Sequence, residues 1–223
     1  MKLVMYSGGY FEDNQLLGEE VLRLIEAKKP TITYIPSSFQ DSDEEYEYFI
    51  EYFSSLGVKY FNIFHVDRSF SRKQLRQVLK ADAVYLSGGN TFYFLMQLRN
   101  TGVLGALRQY LDRGGVLVGE SAGSIIMTPD IMTASYPDFD ADDNDVGLTN
   151  LDAMNLVNFD FFPHFDFENQ AYIEELTRQS LTLARPIYAV PDGSGIVIEP
   201  QRQSFVGPYM AFIKGKSFIE NES

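Results

Sequence analysis

The sequence predicts an α/β fold, a three-layer sandwich in which helices cover a mostly parallel, twisted sheet, with a short antiparallel meander near the C-terminus. Short apolar, β-branched runs alternate with longer segments of helical periodicity, which is the pattern of βαβ units. The chain has 223 residues, of which 45% are hydrophobic, so it can bury a substantial core, and its length fits one domain better than two. We therefore predict a single domain over residues 1–223.

The predicted elements follow from where the apolar runs begin and end. The predicted strands of the sheet are Lys2–Tyr6, Thr31–Ile35, Val58–Phe64, Ala83–Leu86 and Val116–Gly119. The predicted helices are Asn14–Ala27, Asp43–Ser55, Ser71–Lys80, Val103–Arg113 and Glu168–Leu183, and a further helix begins near Thr91. The runs that predict the meander are Pro186–Val190, Gly195–Glu199, Gln203–Val206 and Ala211–Lys214. Residues 135–150 combine acidic side chains with turn formers, which predicts a long exposed loop.

Composition argues against several classes of protein. The formal net charge of −13 disfavours a nucleic-acid-binding surface, because neutralising phosphates requires clustered Lys and Arg. The chain has no cysteine, which removes thiolate nucleophiles and Cys-based metal sites, and we predict neither a metal nor a cofactor. No apolar run approaches the roughly 20 residues that cross a bilayer, and the first residues turn polar too soon for a signal peptide. We therefore expect a cytoplasmic protein that binds neither nucleic acid nor a membrane.

A serine between small residues follows the last strand of the predicted sheet, in Gly119-Glu120-Ser121-Ala122-Gly123. A tight turn between this strand and a helix would push the hydroxyl of Ser121 out above the carboxyl edge of the sheet. Small neighbours let the backbone pass through such a turn, and the first N–H groups of the helix face a developing oxyanion. The pattern indicates a nucleophile, although a serine in a turn of this kind can also simply cap a helix.

A serine hydroxyl needs a base within hydrogen-bonding reach, most often histidine. The chain contains two histidines, His65 and His164. His65 lies at the end of a predicted strand and is expected to finish it, whereas His164 follows Pro163 on a rigid turn before a helix. We therefore predict His164 as the base; its structural alternative is an aromatic-flanked histidine held in the core.

A third group should orient the histidine. In the chain order serine, acid, histidine, the acid would come from the segment between Ser121 and His164. The aspartates of that segment that we weigh are Asp130, Asp138, Asp140, Asp142, Asp143, Asp145 and Asp152. Asp138 and Asp130 lie nearest the end of the serine helix and are the candidates, with Asp138 first. For most of this run a solvated loop is the expected structure.

The run Leu86-Ser87-Gly88-Gly89-Asn90-Thr91 is a strand end that enters a diglycine turn and then a helix. It lacks the spacing of a phosphate-binding loop. A second oxyanion donor fits better, with the N–H of Gly89 paired with that of Ala122, while Asn90 or Thr91 caps the helix. We predict Gly88, Asn90 and Glu120 as substrate-binding residues.

Together with Pro163-His164-Phe165 and Pro191-Asp192-Gly193, these motifs resemble, in order and spacing, the dipeptidase E and cyanophycinase family of serine peptidases. The resemblance spans nearly the whole chain. It implies a flavodoxin-like fold similar to class I glutamine amidotransferases, with a serine in place of their cysteine. It also implies that Ser121 is the nucleophile, that His164 is the base and that Gly88-Gly89 helps to form the oxyanion hole. Family substrates include dipeptides with an N-terminal aspartate and the polymer cyanophycin, and a homodimer is an expectation from the resemblance alone.

The chain departs from the family pattern in two places. Where the family carries its acid, this chain shows Ser135-Tyr136-Pro137-Asp138 within a longer acidic loop. Where the family places a substrate-binding arginine, this chain shows Asn169-Gln170-Ala171-Tyr172, and Arg178 comes two turns later. Aspartate specificity is therefore not carried over to this chain.

The leading hypothesis is a serine peptidase that cleaves a small peptide or isopeptide bond through an acyl-enzyme. One alternative is a non-catalytic ligand-binding protein with the same fold, which the uncertain acid motivates. Another is an α/β-hydrolase-type esterase, for which the chain is short and the 43 positions between Ser121 and His164 are few.

Overall fold

The computed structural model describes residues 1–10, 12–40 and 42–220. Its strands are β1 Lys2–Tyr6, β2 Thr31–Ile35, β3 Tyr60–Ile63, β4 Ala83–Leu86, β5 Val116–Glu120, β6 Asp160–Phe162, β7 Ile187–Ala189, β8 Gly195–Glu199, β9 Arg202–Val206, β10 Tyr209–Ile213 and β11 Lys216–Glu220. Its helices are α1 Gln15–Leu24, α2 Ser42–Ser55, α3 Arg72–Val78, α4 Thr91–Asn100, α5 Val103–Asp112, α6 Ala122–Met127 and α7 Gln170–Ser180, and a 3₁₀ turn spans Met132–Ser135.

The larger sheet has seven strands in the order β3-β2-β4-β5-β1-β8-β9. The first five of these are parallel to one another, and β8 and β9 continue the sheet with antiparallel pairing. The predicted α/β class with a mostly parallel sheet is therefore confirmed.

Alternating side chains of the strands enter two separate cores, because successive residues of a strand point to opposite faces of a sheet. Val4 and Tyr6 pack with residues of α1 and α2 on one face. Leu3 and Met5 pack with residues of α4, α5 and α6 on the other. Helices thus cover both faces, and the structure has the three layers that the sequence predicts.

The C-terminal segments differ in detail from the predicted meander. They divide between two sheets, since β10 and β11 join β7 and β6 in a second, four-stranded sheet in the order β11-β10-β7-β6. Helix α7 packs on this sheet through Tyr172 and Leu176, which contact a cluster containing Phe162 and Phe212. Strand β6 is three residues long, too short for its alternation to reveal it in the sequence.

The segment 135–150 is predicted as a long exposed loop, but part of it packs against the rest of the protein. Tyr136 is buried, and the Asp142 carboxylate accepts a hydrogen bond from the backbone N–H of Thr91 at 2.8 Å. The acidic side chain thus satisfies one of the N–H groups that the first turn of α4 leaves without a helical partner. Among the described residues, no helix is long and apolar enough to span a bilayer.

Candidate active site

The carboxyl ends of three adjacent parallel strands form the candidate site. Strand β5 lies between β4 and β1, with Gly119 opposite Leu86 of β4 and Glu120 opposite Tyr6 of β1. The residues that follow these strands therefore meet at one edge of the sheet, where open α/β folds place their ligands. A Cβ atom built on Gly88 would lie 3.6 Å from Cβ of Ser121, so the diglycine turn and the serine turn are in contact.

Ser121 occupies a sharp turn between β5 and α6. Its φ and ψ are 48° and −109°, a left-handed conformation outside the usual wells, which costs a non-glycine residue about 1–3 kcal/mol. The N–H of Ser121 donates to the carbonyl of Tyr6 at 3.1 Å. The buried hydroxyl of Ser124 lies within 2.8 Å of the Tyr6 carbonyl and 2.7 Å of the Gly119 carbonyl. The turn is thus held by contacts that the short motif alone does not reveal.

The two glycines of the motif are required by close backbone approach. A Cβ on Gly119 would lie 2.5 Å from the carbonyl carbon of Gly123, and a Cβ on Gly123 would lie 2.3 Å from the carbonyl oxygen of Leu86. Both distances are far below van der Waals contact, so only glycine fits at either position.

Each ring nitrogen of His164 has a hydrogen-bond partner. Its Nε2 lies 2.8 Å from Oγ of Ser121, and its Nδ1 lies 2.7 Å from Oδ1 of Asp192. The arrangement is that of a serine hydroxyl, an imidazole and a carboxylate in line. The structure therefore brings the predicted serine and the predicted histidine together, and it adds an acid from the loop after β7.

The prediction that Asp138 orients His164 is wrong, and so is the second choice, Asp130. Asp138 is exposed on the acidic loop, and Asp130 forms an ion pair with Arg185. Nδ1 of His164 instead bonds to Asp192. The error came from assuming the chain order serine, acid, histidine, whereas the acid here follows the histidine. Pro191-Asp192-Gly193 was visible as a motif after an apolar strand, but this position alone does not show that its loop reaches His164.

Ser7 is a further residue of the site that the sequence analysis missed. Its side chain is fully buried, and its Oγ accepts a hydrogen bond from the backbone N–H of His164 at 2.7 Å. The same hydroxyl lies 2.8 Å from the carbonyl of Val190 and 3.3 Å from Oδ1 of Asp192. One side chain at the end of β1 therefore contacts the segments that carry the histidine and the acid. The signal was a Ser-Gly-Gly sequence directly after the first strand.

His164 and Asp192 shift each other's proton affinity. Burial lowers the pKa of His164, but the hydrogen bond and the charge of Asp192 raise it, and the net result lies above the usual 6.5. The hydrogen bond from His164 lowers the pKa of Asp192, although burial opposes this. The pair therefore favours a carboxylate beside an imidazole that readily accepts a proton.

Gly89, Ala122 and Asn90 lie at the same edge of the sheet. Gly89 has a φ of +114°, which favours glycine at the turn, and Ala122 is the first residue of α6. The Asn90 side chain accepts a hydrogen bond from the N–H of Tyr93 at 2.9 Å and donates one to the carbonyl of Asp143 at 2.8 Å. Both polar atoms of Asn90 are thus engaged in capping α4 and holding the acidic loop, and its predicted contact with a substrate stays a prediction.

A cavity of about 300 Å³ opens beside Ser121 and His164. Its lining includes Gly8, Tyr34, Glu45, Gly88 and Glu120. A larger cavity of about 860 Å³ lies at the opposite edge of the sheet, where Lys2 and Val116 begin β1 and β5, and its described lining contains neither serine nor histidine.

The sequence model of peptidase family S51 matches residues 3–206. The chain belongs to peptidase family S51. An uncharacterized peptidase of Listeria monocytogenes is 32% identical over 156 residues, which cover 68% of this chain and 72% of the relative. Peptidase E of Haemophilus influenzae is 28% identical over 203 residues, which cover 85% of this chain and 86% of that protein.

A solved structure supports the assignment to the S51 family. The crystal structure of a peptidase E candidate from Listeria monocytogenes EGD-e superposes with a TM-score of 0.73 at 26% identity and covers 92% of this chain and 97% of that one. The family resemblance read from the sequence motifs is therefore confirmed, as is the expectation that this S51 chain is a peptidase-type hydrolase.

Proposed function

We propose that this S51 chain is a serine peptidase that hydrolyses a small peptide or isopeptide bond through an acyl-enzyme. One observation carries the proposal: Asp192, His164 and Ser121 form a continuous chain of hydrogen bonds of 2.7 and 2.8 Å. In this geometry the imidazole lies within reach of the proton that it must remove, and the carboxylate fixes the ring.

In the first half of the reaction Nε2 of His164 accepts the hydroxyl proton of Ser121 while Oγ attacks the scissile carbonyl carbon. Asp192 stabilises the imidazolium and keeps the remaining proton on Nδ1. The backbone N–H groups of Gly89 and Ala122 are the proposed donors to the tetrahedral oxyanion, since both lie at turns beside Ser121. Each such donor contributes about 3 kcal/mol of transition-state stabilisation in known acyl-transfer sites.

In the second half His164 gives its proton to the leaving amine, which departs and leaves an ester on Ser121. A water molecule then attacks this ester with His164 again as the base, which releases the carboxylic acid and restores the serine. The size of the cavity supports a small substrate, because about 300 Å³ lies at the lower end for ligand cavities.

The alternative of a non-catalytic binding protein depended on the lack of an identified acid beside His164. Asp192 lies beside His164 and is a candidate for this acid, so the reason for that alternative no longer applies. Membership of family S51 argues against the other alternative, an α/β-hydrolase-type esterase.

The test combines labelling and turnover. We expect a fluorophosphonate probe to modify Ser121 stoichiometrically, and we expect Ser121→Ala to lower hydrolysis of a dipeptide panel by on the order of 10⁴-fold or more. Ser124→Ala controls for damage to the same turn, because it removes a structural hydroxyl three residues away and leaves the nucleophile in place. Unchanged hydrolysis in Ser121→Ala, or complete inertness of Ser121 towards the probe, would show that the proposed mechanism is wrong.

A further inference from the structure

Two glutamates line the cavity beside the nucleophile. Glu120 immediately precedes Ser121 at the end of β5, and Glu45 lies in the first turn of α2. Their carboxylates belong to different elements that meet over the same edge of the sheet. The lining residues that the structure describes include neither lysine nor arginine, so the walls of the cavity carry negative charge.

Glu120 is a half-buried carboxylate with little internal compensation. Oη of Tyr85, a fully buried side chain, donates to Oε2 of Glu120 at 3.0 Å. Within the described part of the chain this is the one hydrogen bond to that carboxylate, although an ionised carboxylate offers about four acceptor sites. Burial raises the pKa of Glu120, and the charge of Glu45 adds to the rise. A ligand that donates hydrogen bonds and carries positive charge would offset both effects.

Glu45 is oriented towards the cavity by a second buried tyrosine. Oη of Tyr34 donates to Oε2 of Glu45 at 3.2 Å, and Tyr34 is itself buried against Tyr85 with ring centroids 5.8 Å apart. The hydroxyl of each tyrosine thus holds one of the two carboxylates, and Tyr34 itself lines the cavity. A pair of carboxylates that line one cavity attracts a cation and repels an anion.

Arg68 is the one arginine among the described residues that line this cavity and the adjoining one, and it does not reverse the charge. Arg68 lines an adjoining cavity that shares Glu45 and Gly89 with the catalytic one. Its guanidinium lies 4.0 Å from the centre of the Phe39 ring, and Asp67 lines the same cavity. Arg178, the other arginine considered from the sequence, forms an exposed ion pair with Glu175. An acidic substrate would therefore meet Glu120 and Glu45 first.

Resting on the proposed peptidase function, we propose that Glu120 and Glu45 select substrates that carry a cationic nitrogen close to the scissile bond. The recognised chemistry is an ammonium or guanidinium group. It can come from the free α-amino group of an N-terminal residue or from a Lys or Arg side chain. Glu120 contributes one carboxylate from the end of β5 and Glu45 the second from α2, and both line the cavity that Ser121 lines.

Matched peptides separate the two sources of positive charge. Ala-Leu and N-acetyl-Ala-Leu differ only at the N-terminus, where Ala-Leu carries the α-ammonium. N-acetyl-Lys-Leu and N-acetyl-Ala-Leu differ in the side chain, where the lysine peptide carries the ammonium. We compare kcat/KM within each pair. We expect kcat/KM of at least one cationic peptide to exceed that of its neutral partner by about tenfold or more, the effect of one charge-assisted hydrogen bond.

Glu120→Gln keeps the acceptor for Tyr85 and should reduce this ratio of kcat/KM values severalfold, and Glu45→Gln should reduce it less. Glu47→Gln, an exposed position on the same helix, should leave the ratio unchanged.

A binding measurement keeps this inference testable if turnover is absent. Calorimetric titration of Ser121→Ala with the same peptides and with N-acetyl-Asp-Leu measures how tightly each peptide binds. Because this variant lacks the nucleophile, the preference for charge is measured without hydrolysis. Tightest binding of N-acetyl-Asp-Leu, equal binding of cationic and neutral peptides, or no binding of any of them would overturn the inference. Failure of the proposed function gives a different result, in which wild-type protein hydrolyses nothing while Ser121→Ala still prefers the cationic peptides.

Discussion

Oδ1 of Asp192 lies 2.7 Å from Nδ1 of His164, and this contact completes a hydrogen-bonded chain that ends at Ser121. Replacing the carboxylate by an amide keeps the shape but removes the charge that stabilises the imidazolium and fixes the tautomer. We expect Asp192→Asn to lower kcat by about 10⁴-fold with a folded protein. Steady-state kinetics on the substrate identified for the wild type measure the loss.

Asp138→Asn is the control for that variant, because Asp138 is exposed on the acidic loop. Its kcat should match the wild type. The reverse outcome, in which Asp138→Asn is inactive and Asp192→Asn is active, would reject Asp192 as the orienting acid.

The pH dependence of activity should report the same contact. His164 must be neutral to accept the serine proton, so kcat/KM should rise with pH through the pKa of His164, which Asp192 raises above 6.5. In Asp192→Asn the largest raising influence on the pKa of His164 is gone and burial remains, so the acid limb of the residual activity should move to lower pH. A limb that stays in place or moves to higher pH would contradict the assignment of this limb to His164.

Ser7 should act as a positioning residue for His164. Ser7→Ala leaves the buried N–H of His164 without its acceptor, which costs about 1–3 kcal/mol of unfolding free energy, whereas the Val190 carbonyl keeps its hydrogen bond from the N–H of Phe165. We also expect kcat to fall about tenfold or more with little change in KM, because a displaced imidazole reacts poorly while the cavity is unchanged.

Ser180→Ala distinguishes this effect from simple loss of stability. Ser180 is equally buried, and its hydroxyl accepts from the N–H of Gly215 at 2.9 Å far from the candidate site. Urea unfolding should show a loss for both variants, and only Ser7→Ala should lower kcat and the rate of fluorophosphonate labelling. Equal kcat values in the two variants would refute the positioning role.

Local patterns in the sequence were sufficient for the helices, for the five parallel strands and for two of the three hydrogen-bonded residues. Ser121 and His164 could be found because small residues around a serine and a proline before a histidine are local signals. Asp192 could not be chosen, since the choice depends on which loop reaches the histidine in space. That is decided by β7 joining a second sheet, and no periodicity within the chain encodes this.

Ser7 illustrates the same limit at the sheet edge. The strand that Ser7 follows was predicted correctly, but its neighbour in the sheet, β5, lies more than 100 residues further along the chain. Pairing over that separation sets which side chains meet. Asn90 shows the opposite case, because its role as a helix cap was predicted from its position and is confirmed by the hydrogen bond from Tyr93.

The glycines of the serine turn should be intolerant of any side chain. We expect Gly119→Ala and Gly123→Ala to destabilise the protein by about 2–4 kcal/mol, because each new methyl group would overlap backbone atoms that cannot move independently. Gly105→Ala is the matched control, since it lies on α5 with no atom within 4 Å of the new Cβ, and it should stabilise the helix by about 0.5–1 kcal/mol. Urea denaturation measures all three. Wild-type stability in Gly119→Ala would show that the turn can relax.

Arg185 should stabilise the start of β6 in a pH-dependent way. Its Nε donates to Oδ1 of the buried Asp160 at 2.8 Å, and it also pairs with Asp130. Burial raises the pKa of Asp160 to about 6, although Arg185 opposes the rise. The folded state therefore binds a proton more tightly than the unfolded state, and the contribution of Asp160 to stability falls as the pH increases from about 4 to 6.

Arg185→Met should expose this effect. At pH 7 the variant leaves a buried carboxylate without its partner, and we expect a loss of about 3 kcal/mol in the free energy of unfolding. Without the guanidinium the pKa of Asp160 is higher still, so Asp160 is largely protonated in the variant at pH 5. The loss in the free energy of unfolding should therefore be smaller at pH 5 than at pH 7. Urea unfolding at both pH values measures the difference, with Arg178→Met as a control because its ion pair with Glu175 is exposed. An equal loss at pH 5 and pH 7 would mean that Arg185 acts through packing of its aliphatic chain, because only the ionised form of Asp160 requires the positive charge.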